Sequence, residues 1–506
     1  MSKKAYNFVN DYKKMRLNDM YISKLKLKNF RSFDGIHEIL FSSRMNFLVG
    51  NNNSGKTTVF RAIEFLQNGR NKLDWVTKGK EDQECSVEVT FSGKDIPDIV
   101  TNDSIKKYQN FIFKENDTYN LKLLRSSDDI KKVLTWNDKI NEFENPTGVS
   151  NTITALFEAQ FVYSDLKNED YQDFGKTKIV GKLINAITND FQESESYQNL
   201  CKAHKTAFGR GGELIDVLEG TSNKIQGIMA EQYGETKVDF NFGLPEMENF
   251  FKNGSINLTE NGITTDISQK GTGMQRALAM SLIQIYSESI NSENSKQLFF
   301  FVDEPETFLH PAAQDKLINS FENISNSSQV FITTHSPYLL KRFNPNGDGQ
   351  SIKIFSRDKN RILSGEKMDL FPFSPTWGEI NYFAFGLSSV EFHNELFGYL
   401  QDRFNKDQLD TLLENDTPDN QLRKKLIKLT NENAFNDYLK ESGIESDIKY
   451  IRLQNDGSTC DQLKTLPMFV RNIIHHPENK NNTYSLKQLK KSIEIMVDMI
   501  RKCNES

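Results

Sequence analysis

The 506-residue chain predicts an α/β fold built on a mixed sheet, followed by a mainly helical C-terminal domain. Three observations carry that expectation. A mostly apolar run at 45–49 leads into Gly50-Asn51-Asn52-Asn53-Ser54-Gly55-Lys56-Thr57, and a helical pattern follows at Val59, Phe60, Ile63 and Leu66. A continuous apolar run at 298–302, of the kind a parallel strand buried on both faces shows, ends in Asp303-Glu304-Pro305-Glu306. Beyond about residue 379, helical patterns dominate at 390–404, 421–439, 460–474 and 486–503.

Composition sets limits. Hydrophobic content of 37% and charged content of 26% describe a globular chain with room for two or three domains. Sixty-three Lys and Arg against 69 Asp and Glu leave a net charge of −6, so the surface is not coated for nucleic acid, although a local basic groove is compatible with it. Cys85, Cys201, Cys460 and Cys503 are scattered, which argues against a zinc site or a disulfide framework and fits a reducing cytoplasm. The first residues lack the apolar core of a signal peptide, and no run reaches transmembrane length, so a cytoplasmic protein without membrane contact is expected.

In chain order, alternation from Tyr21 to Phe41 predicts two antiparallel strands joined through Asn29 to Gly35. The strand, glycine-bounded loop and helix at 45–66 form the context of a phosphate-binding loop. Gly50 and Gly55 permit backbone angles that turn successive N–H groups onto phosphate oxygens. Asn53 and Thr58 lie within the same turn. Lys56 supplies a charge for the β- and γ-phosphates, Thr57 a hydroxyl for Mg²⁺, and the helix N-terminus its positive end. Short strand patterns recur between 86 and 125, and another covers 157–163. Residues 176–235 read as helices without a long heptad run.

Ile267-Ser268-Gln269-Lys270-Gly271-Thr272-Gly273-Met274-Gln275-Arg276 leads into a further helix, which Ser268 or Thr272 can cap. At the end of the 298–302 strand, Pro305 keeps Glu304 out of helical geometry. Both carboxylates then sit at the strand's C-terminal edge, where ligands bind in open α/β sheets. Asp303 fits a Mg²⁺ partner, and Glu304 a base that orients water onto the γ-phosphate. Val330-Phe331-Ile332-Thr333-Thr334-His335-Ser336-Pro337 repeats the pattern, with His335 at the edge.

Residues 22–33, the loop at 50–57 and these later motifs together resemble ABC-type ATPases related to DNA-repair and SMC-like families, in the variant form of the OLD-like ATPases. The resemblance covers roughly residues 20–345. It implies that the motif around Ser268, Gly271, Gly273 and Gln275 contacts nucleotide held by a second subunit, with ATP at a dimer interface. It implies that His335 is the switch histidine sensing the γ-phosphate, and that Thr307-Phe308-Leu309-His310-Pro311 is a subunit-contacting loop. Gln160 is the candidate for the glutamine that reaches Mg²⁺ and water in such enzymes; an ordinary strand residue is the other reading. The expected organisation is an ATPase domain at 1–378, with a helical insertion at about 130–250, and a helical domain at 379–506.

In the C-terminal part, Glu391, His393 and Glu395 read as a solvated helix face. Arg471-Asn472-Ile473-Ile474-His475-His476-Pro477 resembles the motif of HEPN-domain ribonucleases, which implies Arg471 on the scissile phosphate and His476 moving a proton. His475 shares the face of Arg471 on a regular helix, and an Arg/His pair complementing a helix C-terminus is the plain alternative. The whole chain is similar to ATPase subunits of anti-phage systems such as PARIS and Septu. That resemblance implies a sensor or regulatory ATPase, oligomeric through ATP-sandwich dimers, acting with a separate effector nuclease after a phage-derived trigger. The rival expectations are an ATP-gated ribonuclease and a DNA-repair ATPase.

Overall fold

The computed structural model describes residues 20–69, 74–146, 152–164, 181, 191, 194–208, 213–240, 242, 255–293, 297–307, 309–340, 343, 349–355, 362–364, 370–414, 432–454 and 456–505. The chain opens with β1 (Tyr21–Phe30), β2 (Phe33–Leu40), β3 (Met45–Gly50) and α1 (Lys56–Asn68). Then come β4 (Ser86–Gly93), β5 (Phe113–Glu115), β6 (Thr118–Ser126), β7 (Leu134–Asn137), β8 (Glu142–Glu144) and β9 (Phe157–Val162). Helices α2 (Glu195–Phe208) and α3 (Glu213–Gln232) precede a hairpin of β10 (Asn257–Glu260) and β11 (Ile263–Asp266). The site elements follow: α4 (Thr272–Glu293), β12 (Gln297–Asp303), α5 (Pro311–Ser325), β13 (Gln329–Thr334), β14 (Gln350–Phe355) and β15 (Ile362–Ser364).

Two sheets result. One is antiparallel, in the order β2-β1-β4-β6-β7-β8, with β5 also on β6. The other runs β15-β14-β3-β13-β12-β9, and every neighbour in it is parallel except β14 with β15. Helix α1 is packed between them: Val59, Phe60, Ile63 and Leu66 share one core with Leu25, Leu27, Val87 and Val89 of the first sheet and Phe299 and Phe301 of the second. The opposite face of the second sheet carries Phe300, Val302, Val330 and Ile332 against Ile283 of α4 and Ile318 and Phe321 of α5. The 298–302 run is therefore apolar at every position because alternate residues fill two different cores. Phe301 and Phe331 stack with ring centroids 4.6 Å apart and planes at 8°, and Phe161 lies 4.9 Å from Phe301. Such aromatic pairs add about 0.5–1.5 kcal/mol each beyond area burial. They fasten β9, β12 and β13 side by side just below the strand tips.

A third core belongs to the C-terminal part: α6 (Trp377–Phe385), α7 (Val390–Glu414), α8 (Glu432–Glu441), a hairpin of β16 (Ile448–Leu453) and β17 (Thr459–Lys464), α9 (Leu466–His475) and α10 (Leu486–Glu505). Phe392, Leu396, Phe435, Val470, Ile493 and Met496 are at its centre. Several boundaries differ from expectation. Residues 460–464 form a strand, not the start of a helix: the left-handed Gly457 turns the chain, and Pro467 in the first turn starts α9 at Leu466. Helix α6 begins on a capping box made by Thr376 and Glu379, so it runs across the expected boundary at 378/379 and places Ile380 and Ala384 in the core formed with β3, β12 and β13. β7, β8 and β9 occupy part of the expected helical insertion, and apart from the single turn at Ile153–Leu156 its longer described helices begin at Glu195. Part of the helix expected at 421–439 lies outside the described residues. Glu391 is exposed as expected, whereas His393 is fully buried and bonded to Ser492 Oγ at 2.9 Å, and Glu395 Oε2 accepts from Thr376 Oγ1 at 2.6 Å, so these two face inward from α7.

Candidate active site

Strand register brings the candidate groups to one edge. Asp303 pairs with Thr333, and Thr334 with Val49, so the C-terminal tips of β12, β13 and β3 end level beside the 50–57 loop. Gly50 (φ 141°) cannot carry a side chain: a Cβ there would lie 2.2 Å from the Phe355 carbonyl oxygen. Gly55 (φ 98°) is the N-cap of α1, and a Cβ on it would come within 2.8 Å of Ser32 Oγ. Asn53 takes a left-handed φ of 61°, which asparagine tolerates better than most residues, at the exposed loop tip. No side chain caps α1, so the helix begins at a bare loop, as an anion cradle requires.

Lys56 is buried and donates to Gly50 O (3.0 Å) and Asn51 O (3.0 Å), with its Nζ also 2.9 Å from His335 Nε2. Burial pushes its pKa from 10.5 down to about 8, against the opposing pull of Glu304, Asp303 and Glu306. His335 Nε2 is also 3.1 Å from Glu304 Oε1. Burial first and the Lys56 charge second hold the imidazole pKa below its ordinary value. Asp303 Oδ1 accepts from Thr57 Oγ1 (3.1 Å) and Thr333 Oγ1 (2.5 Å), and its Oδ2 from Ser164 Oγ (3.2 Å). A hydroxyl and a carboxylate side by side are hard oxygen donors of the type Mg²⁺ prefers, so Thr57 and Asp303 fit that ion. Glu304 has a left-handed φ of 45°, which costs a non-glycine residue about 1–3 kcal/mol. Its N–H is anchored on Thr333 O (3.1 Å) and Thr333 Oγ1 (3.0 Å), so the β12–β13 pairing maintains the strain.

Other expected residues are placed differently. Gln160 pairs with Phe300, three residues short of Asp303, and its amide bonds to Glu158. At about 3.3 Å per residue it is roughly 10 Å from the strand tip, and Ser164 takes the place beside Asp303. Thr58 is turned toward the β1–β2 loop, 3.2 Å from Ser32 Oγ. Asp266 accepts from Ser268 N and Oγ and caps the short turn at 267–269, while α4 begins at Thr272 itself, so neither Ser268 nor Thr272 sits at the cap position before α4. Gln275 is buried and donates back to Ser268 O (3.2 Å) and Lys270 O (2.7 Å), shaping the loop from within, while Gly271 and Thr272 are exposed. Phe308 of the expected subunit-contacting loop lies outside the described residues.

In the C-terminal core, Arg471 lies over the Phe397 ring (5.7 Å) and donates to Asn472 Oδ1; burial first and the Arg471 charge second lower the pKa of His475. His476 is the C-cap of α9, half-exposed, with Nδ1 3.1 Å from Glu478 Oε1. Among the described residues no group of three or more His, Cys, Asp or Glu is arranged to hold a metal ion.

Two site residues were missed at the sequence level. Arg276, buried at the start of α4, donates to Glu304 O (3.1 Å), Pro305 O (3.4 Å) and Ser164 O (3.3 Å). Glu306 is buried against 334–336. The available signals were an arginine in the first turn of an apolar helix, and a second glutamate directly after Glu304-Pro305.

Comparison with known proteins agrees with this geometry. The family model described as AAA ATPase domain matches residues 20–340. The chain is 27% identical over 336 residues to the Old nuclease of Escherichia phage P2, covering 63% of this chain and 57% of that protein. It is 22% identical over 358 residues to Endonuclease GajA of Bacillus cereus (strain VD045), covering 67% and 59%. It thus spans under two thirds of the length of these two relatives. Among solved structures, an Smc head bound to the C-winged helix domain of ScpA matches 68% of this chain and 97% of its own, at 16% identity and a TM-score of 0.43. With the family match covering more than half of its length and a phosphate-loop lysine set beside an acidic strand tip, the chain belongs to the AAA ATPase domain family and is an ATPase.

Proposed function

We propose that this chain binds ATP with Mg²⁺ at the edge formed by β3, β12 and β13, hydrolyses it, and pairs with a second copy across the nucleotide. The observation that carries this reading is the unbroken chain of contacts Thr57–Asp303 and Lys56–His335–Glu304, which joins all three strand tips. The bare N-terminus of α1 and the 50–57 amides receive the phosphates. Thr57 and Asp303 would hold Mg²⁺, which would supply neutralising charge to the phosphate oxygens. Lys56 exchanges its present acceptors for phosphate oxygens. His335 Nε2, released from the lysine, is then free to donate toward the γ-phosphate or Glu304. Glu304 takes the proton of the attacking water. The exposed Gly271-Thr272 loop, tied through Arg276 to the backbone of Glu304 and Pro305, supports contact with nucleotide on a partner copy.

The proposed setting is anti-phage defence, with this chain as sensor and a separately encoded nuclease as effector. Its support is similarity to the matched part of the Old nuclease and of GajA, together with a distinct C-terminal core. Co-expression with the adjacent gene tests it. ATP-dependent co-purification of a nuclease, with loss of phage resistance when either gene is deleted, is the expected outcome. RNA cleavage by the purified chain alone that His476→Ala abolishes would instead place the effector here.

A further inference from the structure

Glu306 does none of the chemistry above, yet one of its oxygens holds the whole switch segment. Oε1 accepts from Thr334 Oγ1 (2.7 Å), His335 N (2.8 Å) and Ser336 N (3.2 Å). Oε2 is buried and has no hydrogen-bond partner among the described residues. A buried carboxylate with one unsatisfied oxygen costs stability, and an apolar side chain of similar size would avoid that cost. What the carboxylate supplies is geometry: three donors from three consecutive residues converge on one atom. Such convergence fixes both the path of the backbone through His335 and the direction in which its ring leaves it. A second brace comes from α5, where Gln314 accepts from Ser336 Oγ (2.6 Å) and donates to Leu309 O (3.1 Å). The loop after Glu304 and the segment bearing His335 are thereby fastened as one unit.

We infer that Glu306 is a positioning residue for hydrolysis, acting through His335 by clamping 334–336 so that the imidazole meets Lys56 and Glu304. This inference rests on the ATPase reading. Glu306 itself touches neither nucleotide nor water, so its removal changes the rate and leaves binding to the 50–57 loop intact. Displacing a reacting group by about 1 Å can lower a rate roughly 100-fold.

The test is a double-mutant cycle on the full chain with Glu306→Ala, His335→Ala and both, measuring ATP turnover and the Kd of a non-hydrolysable ATP analogue. Glu306→Ala should lower kcat roughly 10- to 100-fold with Kd changed less than about threefold. In the His335→Ala background it should cost nothing further, because the residue it serves is gone. Glu306→Gln, whose amide oxygen can take the place of Oε1, should restore turnover. If Glu306→Ala loses its cooperative thermal transition, Glu306→Asp enters the cycle, since its shorter arm withdraws the acceptor while keeping the charge. Additive losses, or wild-type turnover in Glu306→Ala, overturn the assignment while leaving the ATPase intact. A wild-type chain no faster than Lys56→Ala overturns the ATPase reading and this inference with it.

Discussion

Lys56 Nζ and His335 Nε2 are 2.9 Å apart, and the same ring nitrogen is 3.1 Å from Glu304 Oε1. One nitrogen cannot accept from the lysine and donate to the glutamate at once. With its pKa held low, the imidazole is neutral near pH 7, and its tautomer decides which neighbour it serves. The three residues come from three separate strand ends, so this competition is a property of the fold.

Lys56→Ala removes the central charge of that arrangement. ATP affinity should fall by about 2–5 kcal/mol, roughly 30- to 4,000-fold, as read by calorimetry or filter binding. Glu304→Gln keeps the shape and should keep the affinity, while turnover drops roughly 100- to 10,000-fold. Equal turnover in wild type and Glu304→Gln would remove glutamate from the role of base.

Two glycine substitutions should part company. Gly50→Ala drives a Cβ to 2.2 Å from the Phe355 carbonyl oxygen at a φ of 141°, and should cost roughly 2–4 kcal/mol in denaturant unfolding. Gly271→Ala meets nothing within 4 Å and should leave stability within about 0.5 kcal/mol. If this exposed loop contacts nucleotide on a partner copy, Gly271→Ala will nonetheless slow ATP turnover. An unaffected rate would argue that the loop does not serve that purpose.

Arg276→Ala strips donors from Glu304 O, Pro305 O and Ser164 O. Glu304 O keeps its two Thr307 donors, but Pro305 O and Ser164 O lose theirs, at a cost of about 1–3 kcal/mol. Turnover should fall alongside stability, and Arg276→Lys should restore less than half of the loss, because an ammonium cannot span the three acceptors as a guanidinium does. Full recovery with lysine would mean that only charge matters there.

Glu379 supplies a pH prediction. Burial raises its carboxyl from 4.5 to about 7. The folded chain therefore binds more protons than the unfolded chain between pH 4.5 and 7. The resulting stability is fully present below pH 4.5 and is lost as pH rises through about 7. Glu379→Gln keeps an acceptor for the Thr376 N–H and cannot ionise, so its melting temperature should gain on wild type as pH climbs through this window. A constant difference from pH 4.5 to 8 would contradict the assignment.

Much of the nucleotide edge was legible because its signals are local. Two glycines, a lysine and a threonine within eight residues, and acidic residues directly after an apolar run, specify strand tips without knowledge of the rest of the fold. Gln160 takes the ordinary strand position that was its alternative reading; the seven-residue strand pattern at 157–163 does not announce where its strand stops, which depends on pairing with β12 and leaves Ser164 beside Asp303. Glu306 and Arg276 were not legible because their partners are backbone atoms of distant segments. The β16–β17 hairpin was missed because short mixed alternation in Cys460-Asp461-Gln462-Leu463-Lys464 resembles the start of the amphipathic helix that follows it. His393 was read as exposed from its charged neighbours, whereas its partner Ser492 is 99 residues away.

The indole N–H of Trp377 donates to the Pro337 carbonyl at 3.2 Å, two residues beyond His335, from the helix that also reaches the C-terminal core. The chain has three tryptophans, so replacing Trp75 and Trp136 by phenylalanine leaves a single tryptophan, bonded two residues beyond His335. Its emission then reports each nucleotide-driven rearrangement optically, without an added label, in the same cuvette in which phosphate release is timed.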